Sequence, residues 1–189
     1  DDGLRNNFYL ALPLHEKHGI PATFNVISSR FASSLYFDEA MARECWQRGV
    51  EIASHGHYHD EPLTAKTDEE LHFEFGESQR LLNEAIGAEV VDTIAIPYSQ
   101  YDERVRSIAM QYYKGVRVYG NSQNDIPPAD RYWLYSRIAV GNTTTFEQVK
   151  TRIDEAVAQN KWCIIMLHGI NNAEVKTEYD ISQKLLDQI

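Results

Sequence analysis

The chain has 189 residues, which suits one domain and lies well above the size at which a single core becomes marginal. Its 43% hydrophobic and 24% charged residues are ordinary for a globular protein, and the formal net charge of -10 argues against a nucleic-acid partner, which would call for a basic face. No stretch approaches the roughly 20 apolar residues of a membrane span, and no signal peptide is visible.

Helix and strand patterns alternate along the chain. Residues 4–18 read as a helix closed by Gly19, followed by a strand over Ala22–Ser28. Asp38 opens a helix to Arg48, and Val50–Ala53 forms a short strand. Thr67 and Glu70 make a capping box for a long helix with apolar Leu71, Phe75, Leu82 and Ala85, ended by Gly87. A strand over Thr93–Ile96, a helix over Asp102–Tyr113 and a strand over Gly115–Tyr119 come next. After a polar loop over 120–130, a strand is predicted near Trp133–Ala139 and a helix capped by Thr145 and Gln148 runs to about Asn160. The apolar run Trp162–Leu167 reads as a strand buried on both faces, and a final helix is expected from Tyr179. This rhythm predicts βαβ units and a parallel sheet, open or closed into a barrel. Asp1-Asp2-Gly3 directly before a helix reads as a strand-to-helix turn whose strand lies upstream, and the chain closes on a helix with no strand after it, so both ends of the domain are expected to be cut.

Cys45 and Cys163 stand far apart in no metal or redox spacing and read as small buried hydrophobes. The seven histidines divide by position. His15, His18 and His72 lie among charged neighbours in helices, where a solvated surface is expected. His55, His57, His59 and His168 follow the C-terminal ends of predicted strands, as do Tyr98 and, given an upstream strand, Asp1 and Asp2. In parallel α/β architectures that rim carries the active site. His55 and His59 are spaced i, i+4, which on a helical turn places both imidazoles on one face for a single ion, with His57 directed away. A carboxylate joining two histidines makes a catalytic metal set with an open position. The competing reading of Asp1 and Asp2 is an acidic helix cap, and that of His168 a satisfied core histidine.

Together these residues resemble the NodB-homology polysaccharide deacetylases, a carbohydrate esterase family. Asp1-Asp2-Gly3 resembles the end of the motif TFDDG, Ser54–His59 the HxxxH motif, Ile96-Pro97-Tyr98 the Arg-x-Pro-Tyr motif, and Met166-Leu167-His168 the closing Leu-His motif. The resemblance implies a distorted (β/α) barrel of about seven strands, the first missing from this chain, with residues 1–189 forming one catalytic domain. It implies Asp2, His55 and His59 as ligands of a divalent metal, zinc foremost, with Asp1 as general base, His168 as general acid and the Tyr98 backbone N–H as oxyanion donor. The implied substrate is an N- or O-acetylated carbohydrate, and the implied location is outside the cytoplasm or at the cell envelope. Tyr58, Tyr101, Tyr119 and Trp133 are candidates to stack on sugar rings.

Two departures stand out. Ala95 occupies the place of the motif arginine, for which Arg117 on the next strand is a candidate substitute. The family's aspartate-tryptophan motif has no clean match, since Asp130 and Trp133 are separated. Two other readings stay open: a carbohydrate-binding homologue without turnover, and a metal-dependent hydrolase of small amides on a similar barrel.

Overall fold

Strands that alternate with helices must run parallel if each connection crosses over a sheet face, and that is the pairing found. The structure, a computed structural model, describes residues 1–172 and 177–189. Strands β1 (Thr23–Val26), β2 (Glu51–Ser54), β3 (Thr93–Ala95), β4 (Gly115–Tyr119) and β5 (Leu134–Ser136) pair in that order, all parallel. Past Arg137 the same segment continues as β6 (Ile138–Ala139), which pairs in parallel with β7 (Ile165–Met166). The strand predicted at Trp133–Ala139 is thus one extended segment that serves β4 with its first half and β7 with its second. Among the described residues, β1 to β7 thus make six extended segments, matching the six strands predicted from the sequence, and a further short pair near the C-terminus adds to them. Among the described residues β1 and β7 are not paired with each other, so the hydrogen bonding does not close into a ring. A cavity of about 780 Å³ is lined by residues of both, including Phe24, Asn25, Ile165 and Met166.

The helices are α1 (Arg5–Leu10), α2 (Leu12–His18), α3 (Glu39–Gln47), α4 (Asp68–Ile86), α5 (Glu103–Ala109), α6 (Phe146–Gln159) and α7 (Gln183–Gln188). The expected first helix is broken at Ala11 because Pro13, in the first turn of α2, lacks the N–H that a continuous helix would need. Asp38 caps α3 through the Met41 N–H, and both predicted capping boxes, Thr67/Glu70 on α4 and Thr145/Gln148 on α6, are formed.

Two expectations near the C-terminus fail. In the Trp162–Leu167 run Trp162 is exposed and the other residues are half-buried, and only Ile165 and Met166 join a ladder, because β6 offers just two residues of pairing. The final helix begins at Gln183 rather than Tyr179, since Ile181 and Ser182 form β9, paired with β8 (Ile170–Asn171), and Ser182 then caps the helix. Among the described residues, no helix is long and apolar enough to cross a membrane.

The core has two apolar clusters, one around Leu12, Phe24, Phe37, Leu82 and Ile170, the other around Leu71, Phe75, Ile94, Val105 and Val116. Helix α4 reaches into both, with Leu71 and Phe75 near its start and Leu82 and Ile86 near its end. Its placement therefore couples the two halves of the molecule. The Thr67 hydroxyl that starts this helix accepts the Glu70 N–H, and Thr67→Ala is expected to cost about 1 kcal/mol. Urea unfolding should show this as a lower midpoint with an unchanged slope.

Candidate functional site

Parallel strands end on the same side, so residues that follow them collect on one rim. His55 follows β2, Tyr98 follows β3 and His168 follows β7. Asp2 and Gly3 join them through a turn held against β1. Both have positive φ, 69° and 66°, and a Cβ on Gly3 would sit 3.1–3.2 Å from Val26 atoms, so only glycine fits there without strain. The Gly3 carbonyl accepts the Phe37 N–H at 2.7 Å and Arg5 pairs with Asp38 at 2.9 Å, which pins the turn from its other side. The cap reading of the acidic pair fails, because the N-cap of α1 is Leu4, with no acidic residue in the first turn.

Among the described residues, Asp2, His55 and His59 offer ligand atoms that all lie within 4.8 Å of one another. Asp2 Oδ1 stands 3.4 Å from His55 Nε2 and 3.7 Å from His59 Nε2. Ligand atoms about 2.0–2.2 Å from one tetrahedral ion are separated by about 3.4 Å, so the observed spacing fits such an ion. The tautomer points the same way. His55 Nδ1 lies 2.8 Å from the Ala95 carbonyl, which only accepts, so Nδ1 carries the proton. His55 Nε2 is then a lone pair facing a carboxylate oxygen. Charging the imidazole would relieve that contact, but burial opposes it: His55 is 3% exposed and its pKa lies below the usual histidine value despite Asp2. Burial lowers His59 as well, leaving both rings neutral at pH 7, the form that ligates. Burial works against the Asp2 carboxylate too, but the polar and positively charged groups around it, His55 foremost, hold it below the usual aspartate range.

The expected helical turn over the two histidines is absent. Ser54 ends β2, and the chain then passes through Gly56 at φ 77° and His59 at φ 54°, values that no right-handed turn allows. The two rings still meet, with centroids 4.9 Å apart, because the loop folds back rather than coiling. His57 does turn away, its Nδ1 meeting Ser28 Oγ at 2.9 Å. Tyr98 has φ 56° and Ser99 φ 55°, so the strained backbone of this molecule is concentrated around the site. The Tyr98 ring leans on His59, centroids 4.6 Å apart, and its hydroxyl donates to the His59 carbonyl at 3.2 Å.

Asp1 is held separately. Asn25 Nδ2 donates to its Oδ1 at 2.9 Å, and Arg117 forms an ion pair with the same oxygen. The β3–β4 register pairs Ala95 with Arg117, so the guanidinium enters at the level of the missing arginine, one strand across. Burial pulls Arg117 down to about 10, and it remains a cation at neutral pH. His168 lies on the same rim and packs on Tyr179 at 5.3 Å between centroids, outside the donor group of Asp2, His55 and His59. Asp130 is engaged by Arg106 at 2.9 Å and by the Tyr132 N–H, consistent with the broken motif.

Of the aromatic candidates, Tyr58 and Tyr119 are exposed, whereas Tyr101 and Trp133 pack on each other against the second core cluster. His72, expected in solvent, is half-buried and meets the Tyr112 hydroxyl at 2.8 Å. Cys45 is buried and Cys163 half-buried, both free. The sequence reading missed Asn25, Ser28 and Glu74. Glu74 had a signal: it is an acid three residues after Leu71 and next to Phe75, in the apolar stripe of α4.

A family model described as polysaccharide deacetylase matches residues 1–115, more than half of the chain. YxkH of Bacillus subtilis (strain 168), a protein named for the same family, is 28% identical over 118 residues, which are 61% of this chain and 42% of YxkH. The crystal structure of BC0361, a polysaccharide deacetylase from Bacillus cereus, aligns with a TM-score of 0.69 at 23% identity over 80% of this chain and 48% of that one. A family 4 carbohydrate esterase from Streptomyces lividans, solved with acetate, aligns with a TM-score of 0.65 at 16% identity over 100% of this chain and 81% of its own. The chain spans less than half the length of YxkH and of BC0361. With the same α/β fold and parallel sheet and the matched family model, the chain belongs to the polysaccharide deacetylase family.

Proposed function

We propose that this chain carries the hydrolytic site of a metal-dependent deacetylase acting on an N- or O-acetylated carbohydrate. The observation that carries the reading is the facing pair of acceptors, Asp2 Oδ1 and His55 Nε2, with His59 Nε2 beside them. Asp2, His55 and His59 would hold a divalent ion, zinc by the borderline-soft imidazole and carboxylate set. Bound there, it supplies Lewis-acid polarisation of an acetyl carbonyl and lowers the pKa of water.

The remaining roles belong to the chain. Asp1 accepts the proton of the attacking water as general base. Asn25 and Arg117 both bind its Oδ1, which fixes the carboxylate and aims its other oxygen. The Tyr98 N–H, turned by its positive φ, donates to the oxygen on which charge develops. His168 delivers a proton to the departing amine or alcohol, without which an amide nitrogen leaves poorly. Burial pushes His168 down to about 4, so it is neutral at pH 7 before reaction. Negative charge developing on the substrate beside it raises its proton affinity, so it takes up a proton from solvent and passes that proton to the leaving group. The exposed rings of Tyr58 and Tyr119 are the ones available to a sugar.

Acetate release from acetylated chito- and xylo-oligosaccharides tests the reading. The zinc-supplemented chain should release acetate and a chelator should abolish it, while Asp1→Asn lowers kcat/KM by about 10²–10⁴-fold. Sugar binding without release under all metals would favour a binding homologue instead.

His168 also predicts an acid limit. The folded chain protonates it at about 4 and the unfolded chain near 6.5, so the unfolded state binds more protons between those values. Stability without added metal should therefore fall as pH is lowered through that window. His168→Gln should flatten the slope of unfolding free energy against pH between 6.5 and 4. An unchanged slope would mean that the site is more open to water than the structure shows.

A further inference from the structure

A carboxylate is seldom fully buried unless something specific takes up its acceptors. Glu74, on α4, is 1% exposed, and its Oε2 accepts the backbone N–H groups of His57 at 2.7 Å and Tyr58 at 3.1 Å. These are residues of the loop that separates His55 from His59, where the chain has left the sheet and no ladder is available to pair them. Glu74 Oε1 lies 3.1 Å from Lys66 Nζ, itself 6% exposed, and Lys66 also holds Asp60 at 2.8 Å, the residue after His59. Four residues further along α4, Ser78 Oγ donates to the Gly56 carbonyl at 3.1 Å. Gly56 itself has φ 77°, and a Cβ there would stand 3.3 Å from Glu74 Oε2, so the loop passes close to the carboxylate where only hydrogen fits easily.

We propose that Glu74, backed by Lys66, is a positioning residue that sets the separation of the His55 and His59 imidazoles by holding the backbone between them. The inference rests on the metal-binding reading above. Packing alone does not account for the pair, because apolar side chains of similar volume would fill the space between α4 and the loop without the desolvation of two charges. What the charges add is direction. A carboxylate oxygen shared by two successive N–H groups fixes the orientation of both peptide planes, and the ammonium ties the far side of the loop to the same anchor. Neither residue touches the ligand atoms. Their effect reaches the site through the backbone, as outer partners of metal ligands do.

Zinc titration of the 189-residue chain, monitored by competition with a chromophoric chelator, tests the proposal. Glu74→Gln should weaken zinc binding by about 10- to 100-fold. Glu74→Gln combined with Lys66→Met leaves no unpaired buried cation, so it guards against simple unfolding, and it should show a loss of the same size. A second readout needs no metal: the amide protons of His57 and Tyr58 should resonate far downfield in the parent and move upfield in both variants, while Asp2→Asn leaves them in place. If the double variant stays folded and binds zinc within twofold of the parent, the strut is overturned and the metal site stands. If the parent binds no zinc, the metal reading falls and the strut falls with it.

Discussion

Two lone pairs that face each other across 3.4 Å organise this rim. His55 Nε2 and Asp2 Oδ1 are both acceptors once the Ala95 carbonyl has claimed the Nδ1 proton, and burial opposes the protonation that would reconcile them. A cation between the two atoms would make the contact favourable. Much else near it can be understood as what keeps these groups in place. The positive φ angles of Asp2, Gly3, Gly56 and His59 bring the atoms together, and the hydrogen bonds from β1, the 35–38 segment and α4 hold the chain in those conformations. Strain of this kind persists only where surrounding structure over-determines the backbone, and here β1, the 35–38 segment and α4 together do so.

The electrostatic division between the two adjacent aspartates follows from what each faces. Asp2 looks toward neutral imidazoles, and Asp1 looks toward Asn25 and a buried guanidinium. Arg117 reaches the Asp1 carboxylate from the strand beside Ala95. Ala95 and Arg117 are partners on neighbouring strands, so their side chains rise from the sheet at one level, and the longer one spans the extra strand. A carboxylate and a guanidinium buried together need each other, since removing either leaves an uncompensated charge in the interior.

Most of the elements could be read from local chemistry. The capping boxes at Thr67 and Thr145, the N-cap at Asp38 and the glycine stops at Gly19 and Gly87 depend on contacts within a few residues, and each is found as expected. The misreadings share a different cause. Trp162–Leu167 has the composition of a full central strand, yet a ladder needs a partner of equal length and β6 supplies two residues. Ile181 and Ser182 pair with Ile170 and Asn171 across the chain, a match no local window contains. The split of the first helix has a local signal in Pro13, which the reading of residues 4–18 as one helix leaves out.

The sequence alone determined the residue types of the site and their order relative to the strands, because a strand followed by a helix places its last residues on one rim whatever the details. It also marked Asp2, His55 and His59 as candidates for one ion. Tertiary structure decided how they meet. The i, i+4 spacing suggested a helical turn, whereas the histidines converge through a folded-back loop whose N–H groups are taken by Glu74, 15 residues after His59. Neither that carboxylate nor the Asn25 amide belongs to a recognisable motif, and the part played by the Ala95 carbonyl does not depend on its side chain. Their roles exist only once packing brings distant backbone within hydrogen-bond range, and hydrogen bonding at 3 Å is a property of space rather than of spacing.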